Sequence, residues 1–251
     1  AGEDVGKPVN ALAGRGGGVE IALRLAAHAL QLRERRFLRG CRAVHRTPPV
    51  RARADGVVIF SMIGTKVVLP YLIAAKSFQA QLGRGRFAIL DDGTLTEADK
   101  ALLAHHLDSP LIIPIASVET GACPRGGTWE RLLTILDLRK SDYVIQLDSD
   151  IVALGPVPEI VAAIEAGRSF TLRGEAGAEI LPLRSIARQA RDHPGAARQH
   201  VQTAIEQAMG AVLIAGHVDL LYVRGCSGLA GFAPSDAGRA LAEAFSAEAE
   251  R

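Results

Sequence analysis

Four short apolar runs, at residues 57–63, 86–90, 111–115 and 143–147, are separated by segments long enough for one helix each. This alternation constrains the fold more than any other feature. A run such as Val57-Val58-Ile59-Phe60 has no polar position to turn toward water, so it suits a strand buried on both faces. Strands joined through helices form right-handed βαβ units around a parallel sheet. Helices are expected over 67–81, after residue 96 and over 128–138. Pro70 falls in the first turn of the first, where a missing N–H costs little. Thr96 and Asp99 have the spacing of a short capping box for the second.

Three of these runs end in polar clusters, at 61–65, 91–94 and 148–150. Ligands of parallel sheets bind beyond the carboxyl ends of the strands, so the three clusters point to one cleft. Asp148 and Asp150 stand at i and i+2. On an extended chain both would point the same way, an arrangement suited to a hard divalent cation carrying a diphosphate. Taken alone, the tripeptide Asp148-Ser149-Asp150 equally fits acids that bond loop N–H groups or cap a helix.

The rest of the chain divides around this core. Residues 1–18 are glycine-rich and expected to be disordered; 19–39 have the apolar spacing of an amphipathic helix; 48–55, after Thr47-Pro48-Pro49, read as an extended linker. The expected domains are therefore a basic, partly helical arm and linker over 1–55 and one α/β domain over 56–251. Downstream, the sequence predicts a helix over 158–166, a strand over 170–172 and helical segments over 183–209, interrupted near His193-Pro194-Gly195. An apolar run at 218–223 then leads into the glycine-rich stretch 225–232, read as backbone packed close to a ligand or another loop. A last helix spans 236–250.

Composition excludes some function classes. A net charge of +2 in 251 residues gives no reason to expect nucleic acid as a partner. The charge is nonetheless uneven, because Arg24, Arg33, Arg35, Arg36, Arg39, Arg42, Arg46, Arg51 and Arg53 crowd the arm. A solvated helix accounts for such a run, and attraction to anionic lipid or an acidic partner is the functional alternative. Cys41, Cys123 and Cys226 lie far apart, without the spacing of a zinc site or a disulfide framework, which suggests a reducing compartment. With no signal peptide and no apolar run of about 18 residues, the expected location is cytoplasmic, including peripheral contact with the cytoplasmic membrane face.

Other motifs do not complete. Gly16-Gly17-Gly18 has no preceding strand to make a phosphate loop, and Leu90 stands where a haloacid-dehalogenase-type Asp-x-Asp-Gly-Thr motif needs its nucleophile. Gly225-Cys226-Ser227-Gly228 is one residue short of a nucleophile elbow. His105 and His106 are adjacent, so they are expected to diverge around a helix and not to pair on a metal. His217, within an apolar run, is read as a core residue.

Three segments together carry a family resemblance. Trp129-Glu130-Arg131-Leu132-Leu133, then Tyr143-Val144-Ile145-Gln146-Leu147-Asp148-Ser149-Asp150-Ile151-Val152, then Leu154-Gly155 with Pro158-Glu159-Ile160, resemble nucleotide-sugar glycosyltransferases of the GT-A fold. The similarity is to glycogenin-like and lipopolysaccharide-galactosyltransferase-like enzymes, and it covers residues 128–162, with a weaker match over 57–115. It implies a GT-A type α/β/α sandwich with a mainly parallel, Rossmann-like sheet. It further implies sugar transfer from a nucleotide-diphosphate sugar, with uridine diphosphate as the carrier, to an unknown glycan, lipid-linked or protein acceptor.

The resemblance also implies roles residue by residue. Asp148 and Asp150 would hold Mn²⁺ or Mg²⁺ against the diphosphate, Asp148 and Ser149 would contact the donor, and Arg131 would lie on the donor sugar or diphosphate. Ser61, Met62, Ile63 and Gly64 would line the nucleoside pocket, and Asp91 or Asp92 would reach the base. From the residues alone, Arg131 equally fits a solvated helix position and Asp91-Asp92 a turn. The family's C-terminal His-x-x-Gly-x-x-Lys-Pro motif, which supplies a third metal ligand, is not present. The expectation is that the chain is truncated at its C-terminus or that water or another side chain completes the site. Neither an inverting nor a retaining course is indicated. A nucleotidyltransferase, with Ile63-Gly64-Thr65-Lys66 as its loop, and a non-catalytic binding module of the same fold remain the alternatives.

Overall fold

The computed structural model describes residues 15–126, 128–192, 201–214, 216–217 and 219–250. The chain divides between Thr47 and Pro48 into two compact units. In the first, α1 (Arg15–Cys41) is followed by a 3₁₀ turn, Arg42–Arg46. The helix starts earlier than the predicted residue 19 and takes in Gly16, Gly17 and Gly18, so disorder there is a correction; the same expectation for residues 1–14 lies outside the described residues.

In the second unit, residues 48–55 have extended backbone, as the prolines predict, but they are tied down. Val50 N–H donates to the His106 carbonyl at 3.0 Å and Arg53 N–H to the Gly85 carbonyl at 2.9 Å. Then come β1 (Val57–Ile63), α2 (Val68–Leu82), β2 (Arg86–Asp91), α3 (Glu97–Leu107), β3 (Leu111–Pro114), α4 (Trp129–Leu138) and β4 (Tyr143–Leu147). All four predicted strands form. The Thr96–Asp99 capping box closes in both directions, side chain to backbone each way. After β4 follow α5 (Pro158–Glu165), β5 (Phe170–Arg173), β6 (Leu181–Pro182), α6 (Leu183–Asp192), α7 (Val201–Ala208), β7 (Leu221–Tyr222), β8 (Gly225–Phe232) and α8 (Arg239–Ala249). The predicted break at His193-Pro194-Gly195 lies outside the described residues.

Six strands form one sheet in the order β3-β2-β1-β4-β8-β5. β1, β2, β3 and β4 are parallel, and β8 runs antiparallel to both β4 and β5. With helices flanking it, this is the mainly parallel, Rossmann-like α/β/α class implied by the sequence. These strands are buried on both faces, and the side chains of one face, Val58, Phe60, Ala88, Leu90 and Val144, form an apolar layer with Leu133 and Leu136 of α4. A fully buried side chain of this kind stabilises by about 1.5–3 kcal/mol. Trp129 packs against the same layer, as expected for a lone tryptophan on a helix.

The stretch 225–232, read from its glycines as closely packed backbone, is an interior strand packed close against its neighbours. Its glycines make room for neighbouring strands. A Cβ on Gly231 would lie 2.2 Å from the Phe170 ring and 2.7 Å from the Tyr143 hydroxyl, which itself donates to the Arg168 carbonyl at 2.6 Å. One histidine reading is corrected: His217, expected in the core, is exposed in an isolated bridge to Ile214. His105 is exposed and His106 buried, and their rings meet edge to face with centroids 4.8 Å apart.

Beside the main sheet, buried Glu206 on α7 accepts from Tyr222 at 2.8 Å and forms a bidentate ion pair with Arg224. Burial opposes the ionised carboxylate, but these bonds outweigh it and hold its pKa below the ordinary glutamate value. No helix among the described residues is long and apolar enough to cross a membrane.

Candidate active site

Strand order fixes where a ligand can enter. β2 and β3 lie on one side of β1 and β4 on the other, so the chain changes direction between β1 and β4. At such a switch point the loops leave the sheet to opposite sides and open a crevice at the carboxyl ends. A cleft of about 310 Å³ lies there, lined by Met62, Ile63, Gly64, Val67, Asp92, Asp148, Ser149 and Asp150. The ends of β1, β2 and β4, named from sequence as three polar clusters, all contribute to it.

Asp148 and Asp150 share the cleft by a different route from the one predicted. β4 ends at Leu147, and the Ile151 N–H reaches back to the Asp148 carbonyl at 3.3 Å, so a turn carries the two acids and strand alternation does not. The difference makes the pair unequal. Asp148 is half-buried, with its N–H on the Gly228 carbonyl at 2.8 Å, while Asp150 is exposed. Arg131 Nη1 lies 3.3 Å from Asp148 Oδ1, so α4 and β4 meet through a charge pair at the rim of the cleft. Burial raises the Asp148 pKa; Arg131 pulls it down, the Asp150 charge pushes it up and Gln146 lowers it, with a net upward shift.

Asp92 forms the opposite wall. Its Oδ1 accepts from the Thr94 N–H at 2.9 Å and the Thr94 hydroxyl at 2.6 Å. A Cβ on Gly64 would lie 2.2–2.3 Å from both Asp92 carboxylate oxygens and the Thr94 hydroxyl oxygen. Only a residue without a side chain lets the first loop approach the second this closely. Gly64→Ala is therefore expected to displace Asp92 and to weaken ligand binding in the cleft, at a cost in stability below about 1 kcal/mol because Asp92 and Thr94 are exposed; titration calorimetry with a nucleotide and a thermal melt measure the two effects.

Two predicted site residues lie elsewhere. Ser61 is buried and donates to the Leu147 carbonyl at 2.6 Å, bracing the end of β4 instead of lining the cleft. Asp91 is buried, and its Oδ1 accepts from the Gly93 and Leu95 N–H groups at 2.8 and 3.2 Å, the local turn bonding that its position allowed. Gln146 went unnoticed in the sequence. It is buried, bonds the Ser227 carbonyl through Nε2 and acts on Asp148, so it links the carboxylate turn to β8. A polar residue two positions before Asp148 in an otherwise apolar run was the available signal.

Among the described residues no three His, Cys, Asp or Glu side chains gather closely enough to hold a metal ion. Two carboxylates facing an open cleft still fit Mg²⁺ or Mn²⁺, which take one or two carboxylates and fill their remaining positions with water and substrate phosphate. The upward push of Asp150 on Asp148 is the repulsion that a cation between them relieves.

Fold and cleft thus define an α/β protein with an acidic ligand crevice at the switch point of its sheet. No protein-family model matches the chain, and no curated protein matches it. Similar solved structures include the galactosyltransferase LgtC in complex with donor and acceptor sugar analogs, at 14% identity and a TM-score of 0.45 over 77% of this chain and 65% of that one. The apo bifunctional glycosyltransferase WbbM is similar at 12% identity and a TM-score of 0.43, over 78% and 35%. Apo mouse xyloside xylosyltransferase 1 follows at 10% and 0.37, over 70% and 66%. The chain spans less than two thirds of the length of each of these structures.

Proposed function

We propose that this chain is a metal-dependent glycosyltransferase of the GT-A type, moving a sugar from a nucleotide-diphosphate sugar to a glycan, lipid-linked or protein acceptor. The observation that carries the reading is the cleft itself: Asp148 and Asp150 stand on one wall with Arg131 behind them and Asp92 on the other. The sequence resemblance over residues 128–162 supports it, and uridine diphosphate is the carrier it favours. A cytoplasmic location belongs to the same proposal, on the strength of three widely spaced cysteines.

In this reading Asp148 and Asp150 hold Mn²⁺ or Mg²⁺. A cation so placed supplies Lewis-acid neutralisation of the charge that develops on the departing nucleoside diphosphate. Arg131 orients Asp148 and brings a fixed positive charge to the edge of the diphosphate site. Gly64 lets the β1 loop close against Asp92, so Met62 and Ile63 form the apolar side of the nucleoside pocket. Asp92 accepts hydrogen bonds from the donor at the far end.

The test is a thermal melt of the protein with Mn²⁺ and uridine diphosphate sugars, beside an assay of donor hydrolysis, with Asp150→Ala as the control. A ligand at about 100 times its Kd stabilises by about 2.7 kcal/mol. For a chain of this size that is an upward shift of about 5–10 °C. No shift with any uridine nucleotide, or an equal shift in Asp150→Ala, defeats the proposal.

A further inference from the structure

The arm carries a dense run of arginines. Residues 28–46 hold six arginines, Arg33, Arg35, Arg36, Arg39, Arg42 and Arg46, against the single Glu34. The whole chain is only +2, so the remainder is net negative and positive charge is concentrated here. The helix α1 leaves large apolar side chains in water: Leu25 is 65% exposed, Leu30 64%, Phe37 57% and Leu32 46%.

These two features share one geometry. At about 100° per residue, Leu25, Ala29, Leu30, Leu32 and Phe37 fall within an arc of about 160° of α1. Leu38 and Cys41, which are more buried, lie off that arc. Gln31, Glu34 and Arg35 occupy the opposite side. Arg33 and Arg36 fall inside the apolar arc, and both are exposed. Their long apolar stems let the guanidinium groups rise from an apolar layer to a charged one. A soluble acidic partner would account for the arginines but would leave Leu25, Leu30 and Phe37 facing water.

We infer that α1 lies in the plane of an anionic bilayer surface, with Leu25, Leu30, Leu32 and Phe37 in the acyl boundary and the arginines among the lipid phosphates. The helix is too polar to span the bilayer, and it joins four exposed large apolar side chains to arginines, two of them within the same arc, whose stems can lie along an apolar layer while their heads reach the phosphates. Arginines near an anionic leaflet each strengthen binding about fivefold.

Vesicle co-sedimentation of the full chain tests this. The chain is expected to pellet with vesicles of phosphatidylcholine and phosphatidylglycerol, and not with phosphatidylcholine alone. About 1 M salt, where screening shortens to about 3 Å, should release it. Arg35→Glu/Arg39→Glu and Leu30→Ser/Phe37→Ser should each weaken binding at least about tenfold, with melting curves confirming that each variant keeps its fold. The inference is overturned if the chain stays in solution with anionic vesicles, binds neutral ones as well, or retains its affinity in the charge-reversed variant. Binding to poly-glutamate without binding to vesicles also overturns it and assigns the arm to an acidic polypeptide. Weakening by charge reversal alone, with Leu30→Ser/Phe37→Ser unaffected, removes the inserted helix and leaves electrostatic adsorption.

Discussion

Asp148→Ala is expected to lower donor turnover by about 10³-fold and to leave the melting temperature within about 4 °C of wild type. Both halves follow from the position of the residue. Its backbone, just beyond the end of β4, is tied to β8 by the N–H on the Gly228 carbonyl, and that bond survives loss of the side chain. The carboxylate is partly exposed and paired with Arg131 at 3.3 Å, with Gln146 also acting on it, and a partly exposed ion pair of this type contributes about 1 kcal/mol. Lewis-acid stabilisation of a leaving group amounts to several kcal/mol, and each 1.36 kcal/mol is a factor of ten in rate. Asp148→Asn, which keeps the shape without the charge, should fall as far as alanine. Single-turnover donor hydrolysis at saturating Mn²⁺ measures the loss. An asparagine variant within tenfold of wild type would show that the carboxylate does not hold the metal.

The largest effect on stability is expected at a position without chemistry. Gly231→Val should cost about 3 kcal/mol, the upper part of the usual overpacking range. Gly231 lies in β8, between β4 and β5, and its missing side chain is the space that Phe170 and the Tyr143 hydroxyl occupy. A side chain there must push out the Phe170 ring or break the Tyr143 bond to Arg168. Phe170→Ala in the same chain should restore part of the loss, because the two substitutions share one space and their effects are not additive. Urea unfolding of the single and double variants gives the coupling directly. A Gly231→Val protein as stable as wild type would mean that β8 does not pack as described.

What could be read from the sequence, and what could not, separates along the same line. β1, β2 and β4 were legible because continuous apolar runs admit few other structures, and the Thr96–Asp99 cap because both partners are local. The switch-point cleft was legible as three polar strand ends. β8 was not, because glycine, serine, cysteine and alanine carry weak strand preference, and the need for Gly231 comes from Phe170 and Tyr143 far away in the chain. The closeness of Gly64 to Asp92 is equally non-local. The carboxylate pair departs from the expected strand alternation: Asp148 and Asp150 line the cleft through a turn closed by Ile151, which makes one a partner of Arg131 and leaves the other in solvent.

The late arrival of β8 also bears on how the protein is made. β1, β2 and β3 can pair with one another as they are synthesised, since each neighbour is close in sequence, and β4 joins β1 only across the longer span from Val57 to Tyr143. The backbone that anchors Asp148 comes from Gly228, about 80 residues further on. At roughly 5–20 residues per second the ribosome needs about 4–16 s to cover that distance. For that interval β4 is a bare sheet edge, able to pair with any extended segment in reach. The carboxylate turn is therefore fixed late in the nascent chain, and a product that stops before residue 225 would lack the Gly228 carbonyl that holds the Asp148 backbone.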